Sequence, residues 1–86
     1  MQIDCEHDPR ADAVYLRVGN TEWVRQHSLD DERVLDFDAH GALIGIELLC
    51  VSHGVDTAGI PHQTEVERVL ADHGILVRMP HSAVST

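Results

Sequence analysis

The chain has 86 residues, and 43% of them are hydrophobic, which suits one small globular domain with an aliphatic core. Fifteen acidic residues against six arginines and no lysine give a net charge of −9. This charge argues against a protein that binds nucleic acid or an anionic membrane surface, because both need clustered cations. The two cysteines suit small buried side chains in a reducing compartment, and no apolar run reaches the length of a membrane span. We therefore expect a cytoplasmic protein.

Alternating hydrophobic and polar residues predict three strands in the first third of the chain. Residues 2–7 form the first of these strands, and 14–18 the second. Gly19 and Asn20 follow directly, and both residue types favour the positive φ angles of a tight hairpin turn. A third strand is expected over 22–28, although its two faces are mixed.

The most regular pattern in the chain predicts a hairpin from strands 34–38 and 42–48. Two core-facing residues can pair directly across this hairpin, such as Phe37 with Ile44, only if their residue numbers sum to an odd value. A type I turn that starts at Asp38, with Gly41 as the left-handed bulge residue, meets this requirement. Alternation then places one set of side chains of the second strand in the core: Ala42, Ile44, Ile46 and Leu48.

Helical signals begin after an irregular stretch over 51–59. They predict a helix over 61–73, with Pro61 in its first turn and Gly74 as its stop. Thr64 to Glu67 has the pattern of a capping box. One apolar stripe has helical spacing: Val66, Val69, Leu70 and His73.

These elements predict an α+β fold, a small antiparallel β-meander sheet of about five strands with a C-terminal α-helix that covers one face. Residues 75–79 could add a short final strand or dock the helix. We expect a single domain over 1–79 and a flexible tail over 80–86. Because one helix covers only part of a sheet, a second copy of the chain could cover the rest, which favours a homodimer.

Two stretches of the chain, DPRADAVYLR over residues 8–17 and LDFDAHGALIGIELL over residues 35–49, have the form of family motifs. The first is similar to YDPEADALYIRL and the second resembles VDYDEDGRVVGIEIL, the opening and second motifs of domain-of-unknown-function family 2283. The sequence departs from the pattern at Cys5 to His7, where the family more often has an aromatic residue, and at His40, where an acid is common. The resemblance implies a small β-rich bacterial protein without accepted catalytic residues. It also implies an antitoxin-like or partner-binding role for part of the family.

The stretch from Asp36 to Glu47 has the spacing of an EF-hand calcium loop, with His40 in place of the usual acid or amide. Its flanks predict strands and not helices, so we expect no calcium site there. The seven histidines are scattered without a local ligand set, and the serines lie in no nucleophile motif. The sequence thus predicts no cofactor, no metal ligand and no catalytic residue, and it favours a protein that is not an enzyme.

The outward side of the predicted sheet is the remaining candidate site. It would carry mostly acidic residues: Asp4, Glu6, Tyr15, Arg17, Asp36, Asp38 and Glu47. Such a face can serve solubility alone, or it can dock a basic protein through complementary charge. Our hypothesis is a protein-interaction module, the acidic and antitoxin-like partner of a basic protein. The alternative is a metal-binding or hydrolytic protein that uses the Asp36–Glu47 loop.

Overall fold

The structure, a computed structural model, describes residues 2–78. A 3-10 turn over Val51–His53 links the fifth and sixth strands. The strands and the helix follow in this order: β1 Asp4–Asp8, β2 Ala13–Arg17, β3 Arg25–Asp30, β4 Arg33–Phe37, β5 Leu43–Leu49, β6 Val55–Asp56, α1 Gln63–Asp72 and β7 Val77–Arg78. The tail predicted over 80–86 lies outside the described residues.

Five antiparallel strands form one sheet in the order β1-β2-β5-β4-β3, and α1 follows them, so the predicted α+β class is confirmed. The meander connectivity is wrong, because β2 pairs with β5 and not with β3. Gly19 and Asn20 therefore belong to a loop that crosses to the far edge of the sheet. Burial explains the order: β5 is apolar at almost every position and takes the centre, whereas β3 is polar on both faces and suits an edge.

The β4–β5 hairpin has the predicted turn. Gly41 has a φ of 79°, and its N–H donates to the Asp38 carbonyl at 3.0 Å. The odd-sum register holds from the pair Arg33–Leu48 to the pair Asp36–Gly45 and then shifts by one residue. This bulge reverses the predicted alternation of core-facing and outward residues at the start of β5. Leu43 packs against the core, whereas Ile44, although buried, lies outside the core cluster.

The core lies between the inner face of the sheet and α1. Fully buried Leu16 and Ile46 from the sheet share one cluster with Leu70 from the helix. The helix is shorter than predicted, because it begins at Gln63 after His62, whose φ of 58° lies in the left-handed region, and no side chain among residues 2–78 caps its first turn. The capping-box prediction is therefore wrong. Of the predicted stripe, Val66 and Leu70 are buried, Val69 is partly buried, and His73 is exposed.

Residues 50–78 close the domain below the sheet. β6 and β7 form a short parallel pair, and Arg33 of β4 donates hydrogen bonds to the backbone carbonyls of Asp56 and Ala58. These bonds tie the segment before the helix to the sheet. No helix within residues 2–78 has the length and hydrophobicity needed to cross a lipid bilayer.

Candidate functional site

The outer face is the side of the five-stranded sheet opposite α1. Cross-strand register places most of the predicted site residues on it, because directly opposed residues of an antiparallel pair share a face. Three pairs in this register are Asp4–Arg17, Glu6–Tyr15 and Tyr15–Glu47. Asp36 joins the same face through its pairing with Gly45, which itself pairs with Arg17. Six of the seven predicted residues therefore lie on one surface.

Tyr15 occupies the centre of the outer face because Gly45 leaves space for its ring. A Cβ atom at position 45 would lie 1.8 Å from the Tyr15 hydroxyl oxygen, so only glycine accommodates this ring position. The Tyr15 hydroxyl donates to Oδ2 of Asp36 at 3.1 Å, and Nε2 of Gln26 donates to Oδ1 at 2.8 Å. Three strands thus hold one hydrogen-bonded network around the ring.

Asp36 is only 3% exposed, so its prediction as a solvated carboxylate is wrong. Tyr15 and Gln26 cover it from both sides and satisfy both of its oxygens. The same environment raises the pKa of Tyr15, first through burial of the phenol and then through the negative charge of Asp36. The phenol therefore stays protonated at neutral pH and remains a hydrogen-bond donor.

Asp38 lies beyond the outer face, in the β4–β5 turn, and is 8% exposed. Its Oδ1 accepts the backbone N–H groups of His40 at 2.8 Å and Ala42 at 3.0 Å, and its Oδ2 accepts the Thr21 hydroxyl at 2.9 Å. These bonds, the one from Ala42 above all, lower the pKa of Asp38. The prediction of Asp38 as an outward, solvated acid is thus wrong, because its carboxylate stabilises the turn.

The Asp36–Glu47 stretch forms a strand, a turn and a strand, and not the calcium loop whose spacing it shares. The Asp36 and Asp38 carboxylates accept hydrogen bonds from neighbouring side chains and backbone, and Glu47 lies on β5 opposite Val34. Within residues 2–78, no three His, Cys, Asp or Glu side chains converge to hold a metal ion. The hydrolytic or metal-binding alternative gains no support from this geometry.

Charge on the outer face is concentrated along β1. Asp4, Glu6 and Asp8 all point outward and are exposed, and Glu47 adds a partly exposed carboxylate beside them. Arg17 is the one cation of the predicted set, and its guanidinium lies 3.6 Å from a Glu6 oxygen. Such an exposed ion pair contributes little to stability, so both groups remain available to a partner.

Tyr15 separates two hollows on the outer face. We call the first the acidic hollow; it has about 350 Å³, and Glu6, Glu47 and Ala13 are among the residues that line it. The second, the aromatic hollow, has about 500 Å³ and is bordered by Arg17 and Trp23. Tyr15 lines both hollows.

Trp23 was missed as a site residue because the sequence placed it inside a predicted strand over 22–28. The strand instead begins at Arg25, and Trp23 lies in the preceding loop and is 55% exposed. Ile44, turned by the β-bulge, lines the same aromatic hollow. The lone Trp in a chain of only three aromatic residues was the available signal.

Polar groups near the end of β5 have a structural explanation. The carboxylate of Asp12 accepts both the backbone N–H of Ser52, at 2.8 Å, and its hydroxyl, at 2.7 Å. These bonds join the β1–β2 turn to the 3-10 turn, and the Ser52 hydroxyl bond is the main reason why the pKa of Asp12 is lowered.

Cys5 and Cys50 are free thiols of intermediate exposure, so the prediction of two buried cysteines is wrong.

A family model described as protein of unknown function (DUF2283) matches residues 6–52, which is more than half of the chain. The chain belongs to this family. No curated protein and no solved structure match it. The DUF2283 segment runs from β1 to the 3-10 turn and includes Tyr15, Trp23, Gly45 and Glu47, whereas α1 lies outside it. Most of the outer face therefore belongs to the family region.

Proposed function

We propose that this DUF2283 protein is a non-enzymatic interaction module whose outer face binds a basic protein. The observation that carries the proposal is the aromatic hollow, which is lined by the only Tyr and the only Trp of the chain together with Arg17. Tyr, Trp and Arg are the residue types that dominate binding energy at protein interfaces. Their concentration beside one another on a sheet face supports a docking role over solubility alone.

The rigidity of Tyr15 favours binding. Its ring is seated over Gly45 and its hydroxyl is bonded to Asp36 in the free protein, so binding need not order this side chain again. A side chain that is already fixed loses little conformational entropy when a partner arrives. Tyr15 therefore acts as a preorganised anchor between the two hollows.

Charge supports a basic partner. The exposed acids of β1 lie along one side of the face, and the whole chain carries a net charge of −9. Complementary potentials speed association and exclude partners of the wrong sign. The acidic hollow, lined by the carboxylates of Glu6 and Glu47 and by the apolar Ala13 and Val14, suits a Lys or Arg side chain. An antitoxin-like role in the cytoplasm, next to a basic toxin-like protein, fits this surface.

The test compares three baits in pull-downs from the native lysate: the wild type, Glu6→Gln with Glu47→Gln, and Glu65→Gln with Asp72→Asn. The second pair removes the same charge from α1, away from the outer face. The recovered protein is then purified and titrated against each bait at low and high salt. Thermal unfolding of the baits confirms that all three are folded.

We expect one basic protein that binds the wild type and the helix variant equally and binds the outer-face variant about ten-fold or more weakly. Binding should also weaken as salt rises, because the attraction between exposed charges is screened. Recovery of no specific protein at low salt contradicts the proposal. Equal loss of binding in both variants contradicts the assignment of the face, because net charge alone would then explain it.

A further inference from the structure

Strand β3 is an open edge of the sheet. Among residues 2–78 it pairs with β4 alone, in regular register from Arg25 to Ser28 and with a shift before Asp30, so the outward backbone N–H and C=O groups of residues 25–28 have no strand partner. Five of its six residues are exposed, and Val24, directly before it, is 59% exposed. An exposed edge of this kind is a template for pairing with another strand.

The two ends of the β3 edge carry opposite charges. Arg25 stands at the start of β3, and the exposed Asp31 stands in the turn after its end, beside Asp30, whose carboxylate accepts a hydrogen bond from Arg33 of its own chain at 3.0 Å. An antiparallel copy of the same segment brings the arginine end of one chain beside the acidic end of the other. The segment is therefore complementary to itself when it is reversed, and opposite charges across an antiparallel pair are favourable.

The other edge of the sheet has the opposite character. β1 carries Asp4, Glu6 and Asp8 and no arginine or lysine, so a second copy would bring acid beside acid. Pro9 follows directly and cannot donate a backbone hydrogen bond. Of the two sheet edges that the described part of the chain forms, β3 is the one that suits a second copy.

We infer that β3 is the homodimer interface and that two copies pair antiparallel along it. The two-fold axis would stand perpendicular to the sheet, so two five-stranded sheets would form one continuous sheet. Such an axis keeps both outer faces on the same side. The dimer therefore presents two copies of the aromatic hollow on the same side of the joined sheet. Pairing of β3 with itself does not depend on what the outer face binds.

The test measures mass by sedimentation equilibrium from low micromolar to near-millimolar protein. The wild type is expected to reach twice the 9.5 kDa chain mass. Arg25→Asp and Asp31→Arg each turn attraction into repulsion at two symmetric positions, so each should raise the dimer dissociation constant about ten-fold. Arg68→Asp on α1 is the matched control and should leave the constant unchanged, because Arg68 is exposed far from the edge in sequence and pairs only with Glu65 among the described residues.

Mixing the two edge variants gives a sharper result. An equimolar mixture of Arg25→Asp and Asp31→Arg chains should form a heterodimer tighter than either homodimer, because opposite charges then meet again. High salt, which releases a basic partner, should weaken the wild-type dimer far less, since backbone hydrogen bonds contribute to it besides the screened charges. This difference separates failure of the dimer from failure of the proposed function.

Hydrogen exchange supplies an independent readout. Backbone amides of β3 should exchange more slowly as the protein concentration rises, while those of β1 should not change. A monomer at every concentration overturns the proposal. So does a dimer that both edge variants and their mixture leave unchanged, or one that protects β1 and not β3.

Discussion

Substitution of Gly45 by alanine should destabilise the protein, although alanine is ordinarily the better strand residue. The added Cβ would lie 1.8 Å from the hydroxyl oxygen of Tyr15 and 2.4 Å from Cζ, where ordinary contact begins at 3.4 Å. The ring must therefore move by roughly the difference, more than an ångström, and the 3.1 Å hydrogen bond to Asp36 is lost.

Two costs then add. Loss of a hydrogen bond to a buried charged group costs about 1.5–3 kcal/mol. Displacement of a packed ring costs about 1–3 kcal/mol. Alanine recovers roughly 0.5–1 kcal/mol of the backbone entropy that glycine loses on folding. We expect Gly45→Ala to lower the free energy of unfolding by about 2–5 kcal/mol.

The assay is urea denaturation of a double-mutant cycle with Tyr15→Ala. Once the ring is gone, the Cβ at position 45 has space, and Gly45→Ala should cost less than about 0.5 kcal/mol in that background. The coupling between the two positions is then about 2 kcal/mol or more. A Gly45→Ala substitution that is harmless in the wild type, or equally costly in both backgrounds, refutes the seating of Tyr15 over Gly45.

Three further predictions concern the turn and the core. The pKa of Asp38 is lowered, so its charged form stabilises the fold at pH values above 3.8, the ordinary pKa of this group, and the contribution is lost as the pH falls. Asp38→Asn should therefore reduce the loss of stability at acid pH that is measured by unfolding curves. Gly41→Ala should cost about 1–2 kcal/mol by urea denaturation, because the φ of 79° strains any L side chain. Leu70→Ala should lower the free energy of unfolding by about 2–5 kcal/mol and lower the thermal midpoint, since Leu70 is fully buried where α1 meets the sheet. Asp72→Asn, on the exposed side of α1, is the control and should change neither the free energy of unfolding nor the midpoint.

The β4–β5 turn could be predicted because its determinants are local. Asp38 and Gly41 lie three residues apart, and the Asp38 carboxylate together with the positive φ that Gly41 tolerates selects the turn and its bulge. The partner of β2 could not be predicted in this way. That choice depends on which strand best fills the buried centre of the sheet. The pattern within one strand does not show which other strand lies beside it.

The burial of Asp36 was missed for the same reason. Alternation placed it on the outer face, where it does lie, but a neighbour 21 residues earlier in the chain covers it. Gly45 in the middle of an apolar strand was the available signal, since such a glycine often marks a close approach by another group. The acidic residues of β1 needed no such partner, and their predicted exposure is confirmed.

The outer face can be tested most directly by mapping where a partner binds. Amide and indole N–H signals of labelled protein would be followed by NMR while the captured basic protein is added. We predict that the largest shifts fall on Glu6, Tyr15, Arg17 and Glu47 and on the Trp23 indole, with α1 unchanged. Shifts that centre on α1 or on β7 would contradict the assignment of this face as the docking surface.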